Sequence, residues 1–438
     1  MDILNLPSWT PLEVQETDDT YTIKAEYSLP PDYCPRCDTL KPRCRKFGTQ
    51  EVQYRDLPIH GKKTILAAVK QRFICDECNK TFFQILPDMA EGYKATKRLI
   101  SYIERESYKR TFASIAAEIG VTETTIRNIF NDHLASQQER FTFITPEVFG
   151  IDEVTLLKKP RCVMSNVEER TIYDILPNRN KDTVIKRLKE IPDRKEIRLV
   201  CMDMWNPYRD AVRQVLPNAT IIVDKFHVVR LANDAMETVR KGMRETLTKR
   251  QRLTLKNDRF LLRKRNRDLK PEQRLILETW TKNYPQLGSA YELKESFYEI
   301  YDSGSVTEAK SRYKQWKATI PEGMQGAFFP LISAVKNWET EIFAYFHHHV
   351  TNAYTESLNG IIKAENRKGR GYSFPVIRGK ILYDPKLHKK RMKSHGMDRV
   401  AEPGFGNAVL YQQNRSGIFE LLGVDISTLI EKIQKEGL

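Results

Sequence analysis

Residues 148–227 read VFGIDEVTLLKKPRCVMSNVEERTIYDILPNRNKDTVIKRLKEIPDRKEIRLVCMDMWNPYRDAVRQVLPNATIIVDKFH, and the order of apolar and polar runs within them decides the fold. Val148–Val154, Arg161–Val167 and Thr171–Leu176 have the pattern of three consecutive strands. A helix is predicted at Lys181–Ile191 and an apolar strand at Arg198–Met202. A second helix is predicted at about Pro207–Val215, then a strand at Ala219–Val223.

Three strands, a helix, a strand, a helix and a strand make the start of a ribonuclease-H-like α/β fold. In that topology the first and fourth strands are neighbours. Asp152 stands on or just past the first and Asp203 ends the fourth, so both carboxylates are expected at one place. A lone Asp at a strand end is usually a solvated turn residue, but two in register are a different matter. Hard oxygen ligands suit Mg²⁺ or Mn²⁺. Two such ions can activate a nucleophile and stabilise the leaving oxygen of a phosphoryl displacement.

Downstream, residues from Phe226 to about Phe346 show helical patterning throughout and no strand pattern. Helices are expected at Pro271–Tyr284, Ala290–Tyr301, Thr307–Ala318 and Phe328–Phe346. Within Lys241–Lys270 there are twelve Lys or Arg against three Asp or Glu, interleaved with Leu253, Leu255, Phe260, Leu261 and Leu262. Such helices can bury one face and offer the other to phosphates, and Arg263, Lys264 and Arg265 are the candidates. Lys386–Lys393 is a smaller basic patch. A last helix, Asn352–Arg367, carries Asn352, Glu356, Asn359 and Lys363 on one polar face. It can supply a third carboxylate, Glu356, and touch DNA through Asn359 and Lys363. Leu358, Ile361, Ile362 and Glu365 lie on another, mostly apolar face, and Glu365 is the competing carboxylate. His347-His348-His349 reads as surface, since consecutive helical residues diverge by about 100°.

Upstream, Cys34-Pro-Arg-Cys37 and Cys75-Asp-Glu-Cys78 are two thiolate pairs that can hold one tetrahedral zinc. Predicted strands at Tyr21–Tyr27, Lys63–Phe73 and Lys80–Ile85 suggest a zinc ribbon whose knuckles are joined by short strands. Cys44 and His60 are alternative ligands. Cys162 and Cys201 sit in predicted strands and read as core. Thr111–Gly120 and Thr122–His133 form a helix-turn-helix pattern, with a glycine turn and a Thr-capped second helix. Its early turns carry Thr122, Thr124, Thr125, Arg127 and Asn128, the positions that normally reach base edges.

The chain has 438 residues, 40% of them hydrophobic, and a net charge of +15. That excess points to a polyanionic partner. No run approaches the roughly 20 apolar residues of a membrane span, and Met1–Pro11 lacks the succession of a secretory signal. A cytoplasmic, nucleoid-associated protein is expected, without membrane partners. Seven cysteines in that setting indicate metal rather than disulfides.

Ile151-Asp-Glu, Met202-Asp-Met-Trp205, Asp224-Lys-Phe-His227 and Asn352-Ala-Tyr-Thr-Glu356-Ser-Leu-Asn359-Gly-Ile-Ile-Lys363 resemble the DDE transposases of bacterial insertion sequences, the ISL-three group above all. The resemblance covers nearly the whole chain. It implies an α+β multidomain fold: an N-terminal zinc ribbon (1–90), a helix-turn-helix (91–140), and a ribonuclease-H-like α/β catalytic core (146–228 and 347–400). An all-helical insertion (229–346) interrupts the core, and 401–438 forms a C-terminal segment. The catalytic triad would fall on Asp152, Asp203 and Glu356, with Asp224 and His227 beside it. His227 would more readily position a phosphate than do chemistry. The implied cofactors are two Mg²⁺ or Mn²⁺ per site and one structural Zn²⁺. The implied partners are double-stranded DNA, at transposon ends and target, and further copies of the chain, as a homodimer or higher on paired ends. The alternative is a DNA-binding regulator with an inactive core, which usually lacks a carboxylate; here all three are present.

Overall fold

The computed structural model of the chain describes residues 3–388 and the strand pair 411–413 and 419–421. The chain divides into two units, Met1–Leu387 and His388–Leu438. In the second, Tyr411–Gln413 pairs antiparallel with Phe419–Leu421. Most of the Lys386–Lys393 patch, the end of the expected core (to 400) and most of 401–438 lie outside the described residues.

The N-terminal sheet contains Trp9–Glu16 (β1), Thr20–Tyr27 (β2), Cys44–Ile59 (β3), Lys62–Cys75 (β4), Thr81–Phe83 (β5), Met89–Ala90 (β6) and Ala95–Thr96 (β7). Its order is β1-β2-β4-β3-β7-β6, with β5 paired to β4. The expected short strands are corrected here. β3 and β4 have 16 and 14 residues and form one long hairpin, about 50 Å from end to end at strand rise. The cysteine knuckles close one end of it. Ile23, Ala25, Tyr54, Leu66 and Ala68 pack the middle.

Three helices follow: Lys97–Ser107 (α1), Phe112–Ile119 (α2) and Glu123–Arg140 (α3). Each starts on a threonine, Thr96, Thr111 or Thr122, whose side chain accepts an amide of the first turn. Gly120, at φ 79°, makes the left-handed stop between α2 and α3.

The central sheet contains Val148–Leu156 (β8), Lys159–Asn166 (β9), Thr171–Ile175 (β10), Leu199–Met202 (β11) and Thr220–Val223 (β12), with helices Lys181–Lys189 (α4) and Asn206–Val215 (α5). Its order is β10-β9-β8-β11-β12. β8 is antiparallel to β9 and parallel to β11, and β11 is parallel to β12. The first and fourth strands are therefore neighbours.

Among the described residues nine α-helices follow before the last two: Lys225–Gly242 (α6), Lys249–Asn257 (α7), Arg259–Arg263 (α8), Pro271–Asn283 (α9), Pro285–Ile300 (α10), Val306–Ala318 (α11), Gln325–Asn337 (α12), Glu339–Phe343 (α13) and Tyr345–His348 (α14). One long helix was expected over Phe328–Phe346, and three short ones occur. α12 stops at Trp338, at φ −127° and ψ 28°. The Trp338 ring is buried under the Arg209 guanidinium at 4.0 Å, and Arg209 donates to Asn337 O at 2.9 Å. A tertiary contact thus ends the helix. No helix among the described residues is long and apolar enough to cross a membrane.

The sheet's two faces have different covers. Phe149, Ile151, Cys162 and Met164 join α4, α5 and the helices from α6 onward in one core. Val154, Leu156 and Val163 join α1 to α3 together with Ala353–Lys368 (α15) and Phe374–Leu382 (α16) in another. The helix-turn-helix is consequently packed onto the sheet's own helices. The Phe112 amide donates to Tyr372 Oη at 2.9 Å, and Lys380 Nζ to Arg110 O at 3.2 Å.

Candidate active site

The parallel register Met202↔Ile151 and Met202↔Val223 sets the middle of β8 level with the ends of β11 and β12. Asp152, Asp203 and Asp224 are the next residue on each, so three carboxylates meet at one edge of the sheet. Asp152 and Asp224 are buried and Asp203 is half-buried. His227, on the first turn of α6, has its Nδ1 2.8 Å from Asp203 Oδ1 and 3.7 Å from Asp224 Oδ2. Potential ligand atoms of Asp152, Asp203 and His227 all lie within 4.8 Å of one another, and so do those of Asp224, His227 and Glu356.

Glu356 arrives on α15. The helix is anchored by polar side chains that the sheet buries. Asn352 Nδ2 donates to Ile151 O at 3.2 Å, Thr355 and Ser165 share a 2.7 Å hydroxyl bond, and Asn359 Nδ2 donates to Asp152 Oδ2 at 2.9 Å. Asn352 and Thr355 are fully buried and Asn359 nearly so, while Glu356 and Lys363 are exposed. Asn359, read from the sequence as a DNA contact, thus sits behind the carboxylates. Ile361, expected to help dock the helix, is 42% exposed. Glu365, the competing carboxylate, pairs with buried Lys380 at 2.7 Å, on the side facing α16.

The electrostatics of the cluster suit a cation. Burial, then the Asp203 charge, push the Asp152 carboxyl up to about 8. Burial pushes Asp224 up to about 6, against the pull of His227. Burial works to lower His227, but its close pairing with Asp203 and the charges of Asp203, Asp152 and Asp224 raise it to about 9. Among the described residues neither Asp224 oxygen has a hydrogen-bond partner. The group therefore holds more negative charge than its donors satisfy, and all its carboxylate oxygens are hard ligands. Divalent cations fit that donor set.

Three features of the site were not read from the sequence as part of it. Asp224 was placed beside it, although it follows its strand as Asp203 does. Asn352 and Asn359 were read as part of a polar face, but Thr355, which completes a polar repeat at helical spacing, was not, and that repeat is the docking face. Arg179 pairs with Glu153 and lies over the Trp205 ring at 4.3 Å; no local pattern announces it.

At the ribbon tip the sulfurs of Cys34 and Cys78 are 3.9 Å apart, as are those of Cys37 and Cys75. Tetrahedral zinc at about 2.3 Å from each sulfur would separate them by about 3.8 Å. Each knuckle turns through a left-handed residue after its second cysteine, Asp38 (φ 56°) and Asn79 (φ 54°), types that tolerate it. The four-cysteine cluster supports a structural zinc, and neither Cys44 nor His60 belongs to it.

On α3, Thr124 and Asn128 are exposed. Thr125 is half-buried and within 2.9 Å of the Thr122 hydroxyl, and Arg127 pairs with Glu123 at 2.6 Å. Of the basic trio after α8, Arg263 is exposed. Lys264 donates to Gln273 at 3.2 Å, and Arg265 to Asp302 at 2.9 Å. His347, His348 and His349 are exposed, and among the described residues they join no potential metal cluster.

Three family models match the chain. One described as "Transposase", for the DDE domain of the ISL3 group, covers residues 149–381. One for the zinc-finger of transposase IS204/IS1001/IS1096/IS1165 covers 30–78, and one for the helix-turn-helix domain of transposase family ISL3 covers 84–134. The transposase for insertion sequence element IS1001 of Bordetella parapertussis is 22% identical over 344 residues, 77% of this chain and 85% of that protein. The transposase for insertion sequence element IS1557 of Mycobacterium tuberculosis is 27% identical over 203 residues, 41% of this chain and 46% of that one.

Proposed function

The chain belongs to the ISL3 family of transposases, and from that premise we propose that Asp152, Asp203 and Glu356 hold two divalent cations, Mg²⁺ or Mn²⁺, with which it cuts and rejoins DNA at the ends of an insertion sequence. The observation that carries the reading is the parallel register of β8 with β11. It sets Asp152 beside Asp203, and Asn359, from the same helix as Glu356, is bonded to Asp152. When bound, the cations supply activation of the attacking oxygen and neutralisation of the leaving one.

The chain's own residues prepare that chemistry. Asn359 and the Glu153 amide, at 2.9 and 2.6 Å, fix the two Asp152 oxygens. His227 is paired by charge with Asp203, its Nδ1 2.8 Å from Asp203 Oδ1. Its cationic ring is placed to face the scissile phosphate, a positioning role. The exposed end of α3, with Thr124, Thr125, Arg127 and Asn128, reads the terminal inverted repeat, and the zinc ribbon adds backbone contacts. Lys363, Arg263, Lys264 and Arg265 contribute positive charge along the DNA path.

The proposed division of labour is a ribbon in 1–90, recognition in 91–140, catalysis in 146–228 and 347–400, and a helical insertion in 229–346 that covers the site and grips DNA. The protein acts as a homodimer or higher on two paired ends in the bacterial cytoplasm. Cleavage of DNA that carries the element's ends, with Mg²⁺ present, tests the reading. Glu356→Gln and Asp152→Asn should each lower cleavage by orders of magnitude and leave end binding intact. Undiminished cleavage by Glu356→Gln would overturn the assignment.

A further inference from the structure

We propose that Asp224 is a fourth metal-holding carboxylate, which binds one cation together with Glu356 while Asp152 and Asp203 bind the other. The inference rests on the metal-dependent reading above and divides its ligands differently. Among the described residues, Glu356 gathers closely with Asp224 and His227, whereas Asp152 and Asp203 gather with His227. His227 is the member common to both groups. The two groups therefore define two neighbouring candidate cation positions, the arrangement that two ions sharing one phosphate need.

The bland account of Asp224 is a helix cap. It is indeed the residue before α6, where a carboxylate commonly accepts an amide of the first turn. Here no capping bond forms. The backbone amides of Asn352 and Phe226 come near enough to ease the charge, yet neither completes a hydrogen bond. The side chain is fully buried, and both oxygens lack a hydrogen-bond partner among the described residues, with the His227 ring nitrogen no nearer than 3.7 Å. Buried polar groups left so are rare and costly. A capping Asp would have turned onto the amides. This one is turned toward Glu356 and His227, an arrangement that a hard cation between them repays.

Position supports the same conclusion. Asp224 follows Val223 just as Asp203 follows Met202, and those two residues are paired in parallel. The Asp224 amide donates to Met202 O at 3.0 Å, so Asp224 is held at the end of the sheet as Asp203 is. Glu356, on an exposed helical turn, needs a rigid second ligand to fix an ion, and Asp224 supplies one.

The test is Mn²⁺ binding to the full chain, followed by electron paramagnetic resonance, with melting temperature recorded with and without Mg²⁺. Asp224→Asn should weaken one of two Mn²⁺ sites at least tenfold and leave the other. Glu356→Gln, at an exposed position that does not threaten folding, should weaken the same site, and the double variant should be no worse than either single one. Without metal, Asp224→Asn should melt at the same temperature or higher, because it removes an unsatisfied buried charge, and Mg²⁺ should raise its melting temperature less than that of the parent. Two unweakened Mn²⁺ sites in Asp224→Asn would overturn the proposal, and so would an equal loss of stability with and without Mg²⁺. Asp152→Asn separates the two levels of argument. If Asp152→Asn weakens Mn²⁺ binding and Asp224→Asn does not, only this inference fails. If neither does, the metal-dependent function fails with it.

Discussion

Gly150 and Thr355 approach so closely that a Cβ on Gly150 would lie 2.6 Å from Thr355 Oγ1, and it would also meet Ser165 Oγ at 2.4 Å and Asn352 Oδ1 at 2.7 Å. The bare backbone of β8 is what lets α15 lie against the sheet and bring Glu356 toward the aspartates. The three oxygens belong to buried, mutually bonded side chains, so none is a flexible end that can swing away. Gly150→Ala should therefore push α15 outward. Cleavage should fall at least as far as tenfold, the rate cost of about 1.4 kcal/mol, while zinc content and end binding persist. Normal cleavage by Gly150→Ala would show that the helix tolerates the shift and that its docking is not what places Glu356.

Glu365 and Glu356 are nine positions apart on one helix and should fail in opposite ways. Lys380 is almost fully buried against Glu365, and burial holds its pKa below the usual lysine value. Glu365→Gln leaves that ammonium without its counter-charge. Breaking a buried pair costs on the order of 3 kcal/mol, less where the lysine can shed its proton. The melting temperature of Glu365→Gln should drop while cleavage at permissive temperature survives. Glu356→Gln, at an exposed site, should melt normally and not cleave. Thermal unfolding beside a cleavage assay separates them, and abolished cleavage by well-folded Glu365→Gln would mean that the third carboxylate was misassigned.

How far this site can be read from the sequence depends on how local its causes are. Asp152 and Asp203 are legible because each ends an apolar run, and a strand, helix, strand order dictates which runs are neighbours. The docking face of α15 is not legible from hydrophobicity. Its buried ridge is Asn352, Thr355, Leu358, Asn359 and Ile362, and the polar members are buried only because Ile151, Ser165 and Asp152, some two hundred residues away, supply partners. An apolar-face reading put Ile361 inward instead. β3 went unread for a related reason. Residues 45–51, in the first half of β3, are solvent-exposed on both faces, so they lack the alternation that marks a half-buried strand. Pairing with β4, not patterning, makes it a strand. The break at Trp338 likewise follows from Arg209, an element away.

Acidity and metal should compete at the site. Asp152, raised to about 8, and Asp224, raised to about 6, hold protons in the folded chain that the unfolded chain releases near pH 4. Such groups stabilise the fold when protonated, so metal-free stability should fall as pH rises from about 4 to about 8. His227, held up near 9, stabilises fully below about 6.5 and loses that contribution as pH climbs through its folded value. The signs agree. A cation must displace those protons, so the Mg²⁺-induced rise in melting temperature should be larger at about pH 8.5 than at about pH 6. An equal rise at both would mean that the buried carboxylates do not bind the ion.

Zinc removal should unmake the ribbon tip and leave the central sheet. Only Cys34, Phe73, Cys75 and Phe82 form the buried cluster there, too little apolar burial to fold without the metal. Purified protein should carry about one zinc per chain. Cys75→Ser should release it, and Cys44→Ser, outside the ligand set, should not. Elemental analysis decides, and retention by Cys75→Ser would point to Cys44 as a substitute ligand.

Arg263 and Arg265 differ in a way that the basic run itself hides. Arg265 is committed to Asp302 and lies over the Tyr298 ring at 5.4 Å, so much of its charge is already used to hold the segment after α8 against the end of α10. Arg263 is exposed at the end of α8. If the insertion grips DNA, the two should separate in salt dependence. Each phosphate contact contributes about 0.9 to the slope of log affinity against log salt. Arg263→Gln should lower that slope by about that amount and leave the melting temperature unchanged. Arg265→Gln should lower the melting temperature and barely alter the slope. Binding to DNA with and without the terminal repeat should weaken equally for Arg263→Gln, because a phosphate contact carries no sequence information. Selective loss on the cognate end would instead make Arg263 a base contact. An unchanged slope for Arg263→Gln would assign the run to solvated surface and remove the insertion from the DNA path.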